Sequence, residues 1–463
     1  MIVLRISQPI ALPSPPANSI TQPMMSTKNE SGRSPAPARL GSLDQFRGYT
    51  IAGMFLVNFI GSFYAAPYLL GHHLVFCSYA DTIMPQFFFA VGFSMRLSWS
   101  RRSRDEGLAK AYFHAIQRSF ALAIIAILWY KGSPFLPTGI TFEWDSFKSI
   151  GLWGAVWKQL KVDWFQTLLH IAVASVWVLP VIRASMRLRL AYLVFSVVLH
   201  AVLSYWFYFA WNNGAPKGID GGPLGFLTWS VPLLCGTLTY DSVQAYRNGE
   251  TTASKVSQRM LVWSAVLCLI GWALSCGTRW YDVAPEQLAL QPTKTPVLSS
   301  DPVLPPRDAL SKYWNDLTSG QWDKVLAEAP FVSPPHARDP RDNDPHGRTV
   351  DNSSRYRPWN YWMMSQQVGS PSYLLFCSGI SIAIYLVFFL VCDLWGWEIG
   401  LFRTLGVNAL IGYFLHSIVE GTVKSFMPRD ISRLGMWIGF GVYFLLCWMM
   451  LRSLEKKKIF LKL

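Results

Sequence analysis

Runs of about twenty mostly apolar residues recur along this chain, and they constrain its fold more than any other feature. At 1.5 Å per residue, a helix of that length matches the hydrocarbon thickness of a bilayer. Inside the bilayer its backbone groups must be satisfied within the segment. By that criterion there are about ten such windows, at 43–64, 79–98, 112–130, 165–182, 189–211, 224–242, 259–277, 372–393, 401–421 and 433–452. Composition agrees. Charged residues are 15% of the chain and hydrophobic ones 51%, where a soluble domain carries about 25% charged residues. The expected fold class is an all-α polytopic membrane protein, a bundle of about ten transmembrane helices with a polar external insert.

The formal net charge of +14 gathers in short clusters between the apolar runs. That pattern sets topology and gives no reason to expect nucleic acid. Lys28, Arg33 and Arg39 precede the first window. Arg101, Arg102, Arg104 and Lys110 follow the second, Arg183, Arg187 and Arg189 the fourth, Arg247, Lys255 and Arg259 the sixth, and Lys456–Lys458 the last. With all ten windows spanning, these clusters share one side, which the positive-inside rule makes cytoplasmic, with both termini there. Lys424, Arg429 and Arg433 fall on the other side. Residues 1–39 are rich in Pro and Ser and read as a disordered cytoplasmic tail, not a signal peptide; Met24 or Met25 offers a second start. The chain then divides into a first core segment, 40–277, an extracytoplasmic insert, 278–371, and a second core segment, 372–463. The insert reads as a small cap or as disorder, with helical periodicity over 308–329. Seven cysteines, mostly inside apolar windows, have neither a disulfide framework nor metal spacing.

Several polar residues stand where an apolar helix has no use for them. In "SLDQFRGYTIAGMFLVNFIGSFY" (42–64), Asp44 and Arg47 share a helix face. Asn58 lies about 20 Å further along that face. Asp44 and Arg47 read as an interfacial ion pair or as part of a site, and Asn58 as a helix-helix contact or a functional amide. Asp81 opens the second window, with Pro85 in its first turn. It suits a helix cap, and it also suits orienting an imidazole of His72 or His73 just before it. A loop histidine there can act as base or nucleophile. Arg118, Gln166, His170, His200, Asn408, Tyr413, His416 and Glu420 extend a polar seam, with His416 and Glu420 spaced to pair.

"SLDQFRGYTIAGMFLVNF" followed by "HHLVFCSYADTIMPQFFFAVGFSM" resembles the heparan-α-glucosaminide N-acetyltransferase family of multi-span membrane acyltransferases. The matching positions are Ser42, Asp44, Arg47, Gly48, Asn58, His73, Phe76, Asp81, Pro85, Phe87, Phe89 and Gly92. Looser likenesses cover 163–177, 220–237 and 405–416. The chain departs from the family pattern in a short gap from His73 to Asp81, in Phe76 for a Trp, in His170 for an Arg, and in a lost Glu in the 220–237 segment. These departures bear on the acceptor more than on the acyl chemistry.

The resemblance implies transfer of an acetyl group from cytosolic acetyl-CoA, with no metal, to an amino or hydroxyl group of an extracytoplasmic sugar or glycan. It implies His73 and Asn58 as the catalytic pair, with His72 as helper and Asp81 beside them. Asp44, Arg47, Arg96, Arg101, Arg102 and Arg104 are the residues expected toward acetyl-CoA, since arginines suit its phosphates. Gln166, His170 and Asn408 are expected toward the substrate. The expected partners are the glycan acceptor and the lipid bilayer, with a homodimer left open, and the expected location is the bacterial inner membrane. A transporter or flippase using the polar seam is the alternative. Thioester hydrolysis by the purified protein separates the two.

Overall fold

A computed structural model describes residues 40–73, 76–130, 156–282, 298–332 and 357–461. The tail expected over 1–39 lies outside the described residues. Among them every regular element is helical; the one β-bridge pairs Leu298 with Trp359. Helices stand in each of the ten apolar windows. In chain order they are α1 (Gly41–Ile60), α2 (Tyr79–Asp105), α3 (Leu108–Tyr130), α4 (Thr167–Val181), α5 (Met186–Asn213), α6 (Phe226–Arg247), α7 (Ala253–Tyr281), and, after the insert helices α8 (Arg307–Thr318) and α9 (Trp322–Val325), α10 (Pro371–Leu394), α11 (Gly400–Val407), α12 (Ala409–Lys424) and α13 (Arg433–Lys456).

Five of these, α3, α5, α7, α10 and α13, are long and apolar enough to cross a membrane. A sixth span arises if Val156–Trp164 and α4, which meet at 99°, count as one. The physical reason the others are less apolar lies in their place in the bundle. Outer helices α3, α5, α7 and α13 have only 22–33% of their apolar window buried in the protein, so their exposed Phe120, Leu128, Val198, Leu261 and Leu446 suit a hydrocarbon surround. Helices α1, α2 and α6 are wrapped by protein over most of their length. An interior helix can carry Ser, Thr and Gln, because its neighbours satisfy them. The window at 401–421 is not one continuous helix: it breaks at Asn408 into α11 and α12.

Helices cross where small residues let backbones meet. A Cβ on Gly48 of α1 would lie 1.8 Å from the Phe402 carbonyl oxygen, and one on Gly406 of α11 would lie 1.9 Å from that of Asp44. Gly92 of α2 and Gly236 of α6 form the second reciprocal pair, with Leu233 and Phe89 oxygens at 1.9 and 2.1 Å. No side chain larger than hydrogen fits either crossing without moving a backbone.

Helix α2 starts with a capping box. The Ser78 hydroxyl accepts from the Asp81 N–H, and the Asp81 carboxylate accepts from the Ser78 N–H at 2.9 Å. Because the helix begins at Tyr79, Pro85 falls in its second turn and not its first. The N–H that Pro85 lacks leaves the Asp81 carbonyl free, and the Tyr373 hydroxyl of α10 donates to it. The chain thus turns a missing helix bond into a tie between α2 and α10.

Two ends of the bundle result. At one, Ser42 donates to Asp393 at 2.6 Å, Gln45 to the Ile399 carbonyl, and Asp241 pairs with Arg96 and Arg189. At the other, Phe331 N–H donates to the Cys77 carbonyl, Gly221 N–H to Gln367, and Tyr64 N–H to Arg429. The second end carries the described part of the insert. The helix expected over 308–329 is there, interrupted at Gly320, whose φ of +74° ends α8. Buried Arg357 holds Glu328 through two bonds of 3.0 Å and Asp282 at 2.7 Å. His200 of α5 and the Tyr361 hydroxyl, 3.0 Å apart, tie the insert to the helices.

Candidate active site at the histidine loop

The capping box has a second use. Asp81 Oδ2 serves Ser78, while Oδ1 accepts from His72 Nδ1 at 2.8 Å. A carboxylate only accepts, so Nδ1 carries the hydrogen and Nε2 keeps its lone pair. Asp81 is 2% exposed and fixes that tautomer, while the His72 side chain is 56% exposed. Burial beneath the ring works against its charged form, but the Asp81 hydrogen bond and charge, together with the Asp220 charge, hold its pKa above the ordinary 6.5. An accessible imidazole with a free Nε2 and a buried carboxylate behind Nδ1 is the arrangement of a general base.

His73 is built differently. It is 7% exposed, its Nε2–H donates to the Tyr68 carbonyl at 2.8 Å, and its ring stacks on Tyr68 and Phe76 at 4.0 and 4.6 Å. The aromatic cluster continues into Trp359 and Tyr361 of the insert. His73 anchors the loop; His72 faces the open space.

A second carboxylate approaches from the turn before α6. Asp220, 7% exposed, is the first of three successive residues with positive φ (50°, 84° and 63° through Gly222). Aspartate and glycine are among the residues that tolerate this region. The turn is pinned: Trp229 Nε1 donates to the Asp220 carbonyl at 2.8 Å, and Tyr208 donates to that of Gly221 at 2.6 Å. Gln366 Nε2 donates to Asp220 Oδ1 at 3.1 Å. Burial pushes the carboxyl up to about 6, against the opposing pull of Gln366 and of His72. Asp220 also lies within electrostatic reach of the Tyr130 and Tyr413 hydroxyls, which are 2.8 Å apart. Asp220 is thus within electrostatic reach of His72 on one side and of the two tyrosines on the other.

Asn58 joins α1 to α12. Its amide and His416 Nε2 are 3.2 Å apart, and His416 Nδ1 donates to the Tyr413 carbonyl. With Nδ1–H committed, Nε2 accepts from the Asn58 amide. The pairing expected between His416 and Glu420 is thus replaced: Glu420 takes Lys424, which also reaches the Asn58 carbonyl at 3.0 Å.

The other end is cationic. Arg118 lies on the same face of α3 as Ala111, Leu122 and Ala126, all buried, yet its own side chain is accessible. It stands within electrostatic reach of Arg47 on α1 and Arg102 on α2. Asp44 lines a recess of about 220 Å³ with Gly41, Gln45, Glu398 and Arg403. Arg96 is committed to Asp241 at 2.9 Å. Arg101 is half-buried beyond it, and Arg104 is exposed on the last turn of α2.

The three residues expected toward the substrate part company. Gln166 donates to the Asp163 carbonyl at 2.8 Å at the bend before α4. His170 is fully buried against Phe165 and Trp229, beside the Asp220 turn. Asn408 is at the opposite end of the bundle, where its amide donates to the Ile459 carbonyl at 3.3 Å. Asp220 opens the 220–237 segment likened to the family but is not among the residues expected at the site, and Gln366 carries no signal in the sequence. No protein-family model matches the chain, and no curated protein is matched by its sequence.

Proposed function

We propose that this protein is a transmembrane acyltransferase resembling the heparan-α-glucosaminide N-acetyltransferase family. It moves an acetyl group from cytosolic acetyl-CoA to an amino or hydroxyl group of an extracytoplasmic sugar or glycan. In this reading all ten helical windows span the bilayer, the bent and broken ones as partial spans, with both termini in the cytoplasm of a bacterial cell. The observation that carries the reading is the His72–Asp81 dyad, with its tautomer fixed and Nε2 open at the mouth of the bundle.

Acetyl-CoA enters from the cationic end, where Arg118, Arg47 and Arg102 suit its phosphates. The thioester extends toward His72. His72 Nε2 takes the proton of the acceptor N–H or O–H as that atom attacks the thioester carbon. The C–S bond breaks, and the same proton passes to the departing sulfur, which leaves as the free thiol. The Asn58 amide, held by His416, donates to the developing oxyanion. His72 takes the role that the motif alone gives to His73, because His73 has its Nε2 proton bound to a carbonyl.

The test is incubation of purified protein with labelled acetyl-CoA and a panel of amino sugars and neutral sugars. Label should appear on at least one sugar. Absence of both transfer and thioester hydrolysis, with counterflow of a sugar across proteoliposomes, would replace this reading by a transporter.

A further inference from the structure

Two cysteines that stand 300 positions apart meet beneath the insert. Cys77 is in the loop just before the Ser78 cap of α2, and Cys377 is in the second turn of α10. Their sulfurs are 3.5 Å apart, and both residues are fully buried. They are free thiols in contact. A disulfide has its sulfurs about 2.05 Å apart, so closure asks for about 1.5 Å of side-chain movement. The insert seals the pair: the Phe331 N–H donates to the Cys77 carbonyl at 2.9 Å, and the Phe331 ring lies 5.9 Å from that of Phe376. Two nearby cysteines are committed elsewhere. Cys268 of α7 is turned to the Phe376 carbonyl at 3.6 Å, and the Cys276 sulfur accepts from the Ala327 N–H at 3.4 Å.

We propose that Cys77 and Cys377 are joined by a disulfide in the mature protein, a covalent tie between the histidine loop and α10. The inference rests on the orientation proposed above, which puts this end of the bundle outside the cytoplasm, where thiols are kept oxidised. The bond forms as the chain folds, before the insert closes over the pair. One cysteine thiolate attacks the disulfide of an extracytoplasmic dithiol–disulfide oxidoreductase, and the other then displaces that enzyme from the mixed disulfide. One S–S bond forms in this protein and one breaks in the oxidoreductase. The oxidoreductase takes the two electrons and leaves as a dithiol, carrying the two protons that the cysteines lose. Once the insert has docked, the bond is shielded, because thiol exchange needs access to a sulfur. The tie fixes the loop of His72 and Asp81 to the helix whose Tyr373 already donates to the Asp81 carbonyl. Spacing along the chain gave no sign of it, since the two cysteines come together only in the fold.

The experiment maps thiols in the full chain taken from cell membranes. N-ethylmaleimide is present from lysis through denaturation, and the protein is digested without reductant. Mass spectrometry should find the peptides of Cys77 and Cys377 linked, and the other five of the seven cysteines alkylated. Cys77→Ala should then show one more alkylated cysteine than wild type, although it has one cysteine fewer. Cys377→Ala should do the same, and it decides the matter if Cys77→Ala does not fold. Seven alkylated cysteines in wild type, or a bond from either residue to Cys268 instead, overturns the proposal. Labelling of Ser311→Cys in parallel cells by an impermeant maleimide keeps the bond apart from the orientation. Free thiols with α8 labelled from outside remove the bond alone; a linked pair with α8 labelled only from the cytoplasm keeps the bond and removes the orientation.

Discussion

Asp81→Asn is the substitution that interrogates the site most sharply. The carboxylate accepts from three donors: His72 Nδ1 on one oxygen, and the Ser78 N–H and hydroxyl on the other. Asparagine has one oxygen and one NH2. Two donors from Ser78 claim the oxygen, so the NH2 turns toward His72. An NH2 can only donate, so Nδ1 must become the acceptor and Nε2 must carry the hydrogen. The imidazole then has no lone pair at the open edge. Loss of general base catalysis is worth about 10²–10⁴ in rate, or about 3–5 kcal/mol of barrier. The fold should lose far less. The cap survives on the oxygen, and exchanging charged for neutral hydrogen bonds costs about 1 kcal/mol. The assay is single-turnover acetyl transfer beside a thermal melt followed by tryptophan fluorescence. Adding Asp81→Asn to His72→Ala should produce no further loss, because both remove the same function. A folded Asp81→Asn protein within threefold of wild type, or full additivity in the double variant, would refute the tautomer argument.

Other outcomes follow from single features. Transfer should rise with pH through a midpoint above the ordinary histidine value of 6.5, as His72 loses its proton, and Asp81→Ala should move that midpoint down; an unmoved midpoint contradicts the dyad. Gly48→Ala places a methyl 1.8 Å from the Phe402 oxygen, so α1 and α11 must part, at a cost of about 1–3 kcal/mol or more, read as a lowered melting temperature. Glu328→Gln leaves buried Arg357 short of a counter-charge and should destabilise by about 3 kcal/mol; an unchanged melt would mean that the insert contributes little to the fold. A cysteine at Ser311, on the exposed surface of α8, should react with an impermeant maleimide from outside intact cells; labelling only after the cytoplasm is opened inverts the proposed orientation.

The sequence made the helices legible because length and apolarity are local properties. The sequence points to Asp81 as the cap of α2, but the cap is Ser78, and Asp81 stands three residues on as its reciprocal partner. Local rules reach no further. Asp220 and Gln366 are 146 positions apart, and only the folded turn after α5 brings them together. The choice between His72 and His73 was equally hidden. A motif counts positions, whereas the structure sets one ring against a buried carboxylate and stacks the other on Tyr68. Apolarity marked the windows of α1, α2 and α6 but not the polar contacts that neighbouring helices give them. The break at Asn408 had no Pro or Gly at that position to announce it, and the bend before α4 had neither.

The central claim is that His72, backed by Asp81, performs acetyl transfer at the mouth of the bundle. Its most direct test compares His72→Ala with His73→Ala in single-turnover transfer from labelled acetyl-CoA to the best amino-sugar acceptor. Folding and CoA binding are checked on each variant. The account predicts a loss of about 100-fold or more for His72→Ala. For His73→Ala it predicts a smaller loss together with a lowered melting temperature, as expected of a packed loop anchor. Full activity in His72→Ala, with transfer abolished in a stably folded His73→Ala, would contradict it.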